Sequence, residues 1–188
     1  MTSPEPRVVQ PPDWPAPRGY ANGVLARGRL LFIAGQIAWD AHGQFQSDDF
    51  VDQTRQALQN VRAVLEAAGG RPQHLVRLTW YVRDRADYLA QQQAIGQVYR
   101  AVLGRHFPAM TLVEVSALLE ERAKVEIEAT AVLPDDDSRT PVSPDDDSRA
   151  AARPDEGTPV LPAEERLTRG RPEDDDATPL RSDEDPAP

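Results

Sequence analysis

From Pro134 onward the chain turns acidic and proline-rich, and this change confines folding to the first 133 residues. Residues 134–188 hold 10 of the 18 prolines, 17 of the 31 Asp+Glu, only 7 of the 21 Lys+Arg, and no aromatic residue. The run PDDDSR occurs at 134–139 and again at 144–149. Such a segment cannot bury enough apolar surface to offset the entropy lost on ordering it. The expectation for 134–188 is a disordered, self-repelling tail that aids solubility, with an acidic docking segment as the alternative.

The whole net charge of −10 resides in that tail, since residues 1–133 carry 14 basic and 14 acidic side chains. A neutral domain without a basic stripe argues against nucleic acid as a partner. No apolar run approaches the ~18 residues of a membrane span, and MTSPEPRVVQPPDWPAPRG at the start lacks a signal peptide's apolar stretch, so a cytoplasmic location is expected. The absence of cysteine removes disulfides, thiolate nucleophiles and zinc-thiolate sites. His42, His74 and His106 share no metal-ligand spacing, so no metal is expected.

Residues 1–16 form a proline-rich arm expected to be flexible, followed by a domain over 17–133. Leu30 to Ala34 is a short apolar run ending at Gly35, which predicts a buried strand. Asp48 or Asp49 is placed to cap a helix in which Phe50, Thr54, Ala57, Leu58, Val61, Val64, Leu65 and Ala68 recur at helical spacing. Gly69-Gly70 and Pro72 stop it. Leu75 to Val82 predicts a second long strand. A helix is expected from about Ala86 to Leu103, closed by Gly104, and further strands over Thr111 to Ser116 and Lys124 to Leu133. Two amphipathic helices, each burying one stripe, pack most simply on one face of a mixed sheet, an α+β arrangement. In the last strand Val125, Ile127, Ala129 and Ala131 should meet the helices. Lys124, Glu126, Glu128 and Thr130 should face water or a partner subunit.

Several blocks within Pro17 to Pro134 together resemble the RidA/YjgF family of reactive intermediate deaminases. They are GYANGV, LFIAGQIAWD, QTRQALQNVRAVLEAAGG, LVRLTWYVRD, and PAMTLVEV with VEIEATAVL. The resemblance implies a RidA-like, chorismate-mutase-like fold, a homotrimer with active sites between neighbours, small enamine or imine substrates, and no cofactor. Glu128 falls on the second glutamate of the family's E-I-E-A run, and the resemblance makes it the catalytic carboxylate that directs water. Glu126 is expected to face solvent or an interface. Tyr20 matches an aromatic residue that closes one side of the pocket, with Gly19 in place of the usual proline. Gly35 matches a glycine whose backbone approaches the ligand. Ala34 stands where many relatives have serine.

Met110 departs from the pattern most. In deaminating relatives an arginine follows the Pro-Ala pair and grips the substrate carboxylate. Here Pro108 and Ala109 are followed by methionine, which offers dispersion and a weak acceptor instead of a charge-assisted fork. Leu112 makes the expected pocket more apolar still, and Trp39 and Trp80 are candidates to line it. Arg18 and, less directly, Arg122 are the candidates to replace the missing arginine. The function expected is an enamine or imine deaminase acting on a substrate larger or more apolar than 2-aminoacrylate. The alternative is a non-catalytic trimer of the same fold that binds a metabolite or regulates a partner.

Overall fold

The computed structural model describes residues 5–135, so the acidic tail expected over 134–188 lies almost wholly outside the described residues. The main sheet has four strands in the order β3-β6-β4-β5, where β3 is Arg29–Gln36, β4 Leu75–Val82, β5 Ala109–Glu114 and β6 Val125–Leu133. β6 is antiparallel to both β3 and β4, whereas β5 runs parallel to β4 at the sheet edge. That mixture is the α+β sheet expected. A separate antiparallel pair joins β1 (Arg7–Val9) to β2 (Gly23–Leu25), so the proline-rich arm contributes a strand that three residues without an alternating pattern did not announce.

The first long helix, α1 (Phe50–Ala67), begins where Asp49 accepts hydrogen bonds from the backbone N–H groups of Val51 and Asp52, each at 2.9 Å. Those bonds satisfy two of the donors a helix start leaves open. Ala57, Leu58, Val61 and Leu65 are fully buried on its inner stripe. Gln53 is buried on the same helix and ties it to the sheet: its Nε2 donates to Ser47 O at 3.1 Å and Arg122 O at 3.0 Å, and its Oε1 accepts from Lys124 N at 2.8 Å. A buried amide is tolerated there because its hydrogen-bonding capacity is used.

The helix expected over 86 to 103 is two. α2 (Arg85–Ala90) is capped by Asp84, and α3 (Gln92–Leu103) follows after Gln91, whose φ of −118° and ψ of 14° leave the helical region. The physical reason lies in the side chains. α2 buries no residue, and Gln91 to Gln93 supply no apolar anchor across the joint, while α3 inserts Ile95, Val98, Tyr99, Val102 and Leu103 into the core. β5 also starts two residues earlier than expected, at Ala109, because its parallel register with β4 begins at Arg77–Ala109.

The strict alternation of β6 sorts the two faces of the sheet. Val125, Ile127, Ala129 and Ala131 are buried among Leu78, Trp80, Val82 and the helices, forming one core. Register partners share a face, so Glu126 lies beside Tyr81 and Glu128 beside Thr79 on the opposite side. Phe32, opposite Thr130 on that same face, is 73% exposed, and Leu30 is 62% exposed.

Candidate functional site

A cleft of about 530 Å³ opens on the helix side of the edge strand β5. Its apolar floor and wall come from Trp80, Ile95, Tyr99, Phe107, Met110 and Leu112, and its rim from Arg18, Tyr20, Tyr88, Gln92 and Arg100. Met110 and Leu112 reach it because they are the register partners of Leu78 and Trp80, whose side chains point toward the helices.

The loop bearing Arg18 and Tyr20 is brought to the cleft by the backbone. Ala21 N donates to Pro108 O at 2.9 Å, and Ala21 forms a parallel bridge with Ala109, so the loop lies against the start of β5. Gly19 has a φ of 82°. A proline, fixed near −65°, cannot take that conformation. The opposite wall is rigid by construction. Tyr99 stacks on Phe107 with ring centroids 5.5 Å apart and 11° between planes, and its hydroxyl donates to His106 O at 2.7 Å. Burial pushes the Tyr99 hydroxyl far above its ordinary value, so it stays a neutral donor.

One feature gives the cleft its chemistry. Its lining includes two guanidinium groups, Arg18 and Arg100, and no carboxylate, and neither arginine forms an ion pair among the described residues. The Trp80 indole N–H has no acceptor among the described residues, a deficit of about 1–3 kcal/mol, but it is sealed beneath the floor and does not face the cleft.

Arg18, Tyr20, Met110, Leu112 and Trp80 therefore meet in one place. Other residues singled out in the sequence do not. Glu128 lies on the far face of the sheet, its Oε1 4.0 Å from Arg77 Nη2. Gly35 is on that side too, under the carboxylate of Glu126. A Cβ at Gly35 would fall 2.7 Å from Glu126 Cδ and 2.9 Å from its Cγ. Ala109 contributes its backbone to the loop anchor and its side chain to the face opposite the cleft. Trp39 is 42% exposed, bridges Phe45 and stays outside the cleft. Arg122 is committed elsewhere: its Nη2 lies 2.9 Å from Asp48 Oδ1, and its guanidinium sits 5.3 Å from the Phe45 ring centroid. Sequence reasoning gave Arg100 no role, because it reads as one more exposed helix position. The pairing of Gly35 with Glu126 likewise depends on a bulge in the β3–β6 register between Ile33 and Gln36.

A four-stranded mixed sheet backed by helices, with a cleft lined by two arginines at its edge strand, defines an α+β domain of the Rid type. Residues 13–133 match the family model described as Endoribonuclease L-PSP. A RutC family protein of Pyrococcus horikoshii is 39% identical over 125 residues, covering 66% of this chain and 95% of the relative. A 2-iminobutanoate/2-iminopropanoate deaminase of Salmonella typhimurium is 37% identical over 116 residues, covering 60% and 86%. The crystal structure of a Rid family protein of unknown function from Yersinia pestis superposes with a TM-score of 0.62 at 36% identity, covering 69% of this chain and 99% of that one. The chain belongs to the RidA/YjgF family.

Proposed function

We propose that this protein is an imine or enamine deaminase, a hydrolase that releases ammonia from a substrate larger and more apolar than 2-aminoacrylate. The observation that carries the proposal is the cleft itself. Arg18, Tyr20 and Met110 converge on an aromatic floor that a three-carbon imino acid would leave largely unfilled. The names of relatives such as the Salmonella deaminase support the reaction class. Water adds to the C=N carbon as a proton passes to nitrogen, and the resulting carbinolamine collapses to a carbonyl and ammonia. An enamine first takes a proton at carbon.

The base is proposed to come from the other face of the sheet. Glu126 and Glu128 are the carboxylates there, and the cleft of the same chain has none. A homotrimer in which the exposed Phe32 and Leu30 are covered by neighbours would bring one subunit's carboxylate toward another's cleft. The sequence assigns the base to Glu128, which lies 4.0 Å from Arg77 Nη2; Glu126, which lies over the Gly35 backbone, is the second candidate the geometry adds. The second reading, a non-catalytic trimer that binds a metabolite, is favoured by the loss of the arginine at Met110 and of the serine at Ala34. Ammonia release from a series of imines generated in situ by an amino-acid oxidase tests the proposal. Activity on bulky imines that disappears in Glu126→Gln or Glu128→Gln supports it, and binding without release in wild type supports the second reading. No helix among the described residues is long and apolar enough to cross a membrane.

A further inference from the structure

We propose that Arg100, on the third turn of α3, is the residue that binds the substrate's carboxylate in place of the arginine absent at Met110, and that the ligand is a 2-imino or 2-keto acid with an aryl-sized apolar side chain. The inference rests on the deaminase reading for the imino or keto group of the ligand and on the cleft for its carboxylate and its apolar side chain.

Three observations lead to it. First, the cleft is cationic and has no internal counter-ion. Arg100 and Arg18 both line it, no acidic side chain does, and neither arginine is ion-paired among the described residues. Two guanidinium groups that share a concave site repel one another until an anion enters, and a planar carboxylate matches the fork of either.

Second, the Arg100 head group lies on the cleft side of α3. Gly96, four residues earlier, also lines the cleft, and a Cβ there would lie in ordinary contact with the guanidinium, 3.4 Å from Arg100 Nη1 and 3.9 Å from Nη2. The guanidinium is therefore folded back along its own helix over Gly96, as side chains four apart on a helix share a face.

Third, the floor suits an aromatic body. Trp80, Tyr99, Phe107, Met110 and Leu112 lie beneath the two arginines. An arginine at position 110 would hold the carboxylate on the strand. Arg100 holds it from the helix instead, and the apolar side chain is then directed over Met110.

The test is calorimetric binding of phenylpyruvate, pyruvate and phenylacetamide to the full-length protein, compared among wild type, Arg100→Gln, Arg100→Lys and Arg105→Gln. Wild type is expected to bind phenylpyruvate at least about tenfold more tightly than either of the other ligands, because each lacks one of the two recognised groups. Arg100→Gln should weaken phenylpyruvate by roughly tenfold or more without changing phenylacetamide, with Arg100→Lys intermediate, since a charge-assisted bond is removed in one case and made less directional in the other. Arg105→Gln, outside the cleft, should bind as wild type does. Equal phenylpyruvate affinity in wild type and Arg100→Gln, equal binding of pyruvate, or an equal loss in Arg105→Gln would overturn the proposal. The deaminase reading fails separately. Ligand binding as described with no ammonia released from bulky imines leaves the Arg100 assignment standing, whereas hydrolysis with an unchanged KM in Arg100→Gln removes that assignment and leaves the enzyme.

Discussion

The carboxylate of Glu126 occupies the space that any side chain at Gly35 would need. A Cβ there would come within 2.9 Å of Glu126 Cγ and closer still to the carboxyl group. β3 thus passes directly beneath a carboxylate on β6. The atoms in the way belong to one flexible, half-buried side chain, so Gly35→Ala should turn Glu126 aside at a cost within about 0.5 kcal/mol. Chemical denaturation gives the stability change, and the proposed reaction should slow further than stability alone accounts for.

Met110→Arg restores a fork at the strand edge. A charge-assisted hydrogen bond contributes about 1.5–3 kcal/mol, so KM for small imino acids should fall by roughly ten- to a hundredfold. The same change places a third cation beside Arg18 and Arg100, and thermal unfolding without ligand should show a modest loss of stability that an added carboxylate reverses.

The side of the sheet facing away from the helices exposes Phe32 and Leu30 around Glu126 and Glu128. Phe32→Glu should leave secondary structure intact while shifting the oligomer proposed here toward monomer. Light scattering coupled to size exclusion reads the change, and ammonia release should fall along with the mass.

His74 gives a pH dependence of known sign. Burial holds its pKa below the ordinary 6.5, and its Nδ1 accepts a hydrogen bond from Arg71 N at 3.2 Å, which requires the neutral ring. The unfolded chain therefore binds a proton more readily than the folded one. The stabilisation is fully present above pH 6.5 and is lost as pH falls through the lowered folded-state value. Urea midpoints measured from pH 7.5 down to pH 5 should decline more steeply in wild type than in His74→Gln.

Much of the fold was legible because its signals are local. The stripe from Phe50 to Leu65, the Asp49 cap, the Gly69 stop and the alternation of Val125 to Ala131 each follow from spacing along one element. The break at Gln91 was not, because it depends on which half of a helical segment finds a core to pack against. The site divides the same way. Arg18, Tyr20 and Met110 were identifiable from a motif, and the structure brings them into one cleft. The face on which each glutamate stands, and the proximity of Glu126 to Gly35, depend on strand register and a bulge that sequence spacing does not encode. Arg100 was invisible for a different reason: its significance lies in its place beside Arg18 and in the absence of any acid in the cleft.

The most direct test of the central claim is ammonia release from two imines supplied at equal concentration by an amino-acid oxidase, one derived from alanine and one from phenylalanine. The account predicts that wild type accelerates hydrolysis of the phenylalanine-derived imine by at least about tenfold more than that of the alanine-derived one, the scale of a filled apolar pocket. Equal acceleration of the two, or a preference for the alanine-derived imine, would contradict it.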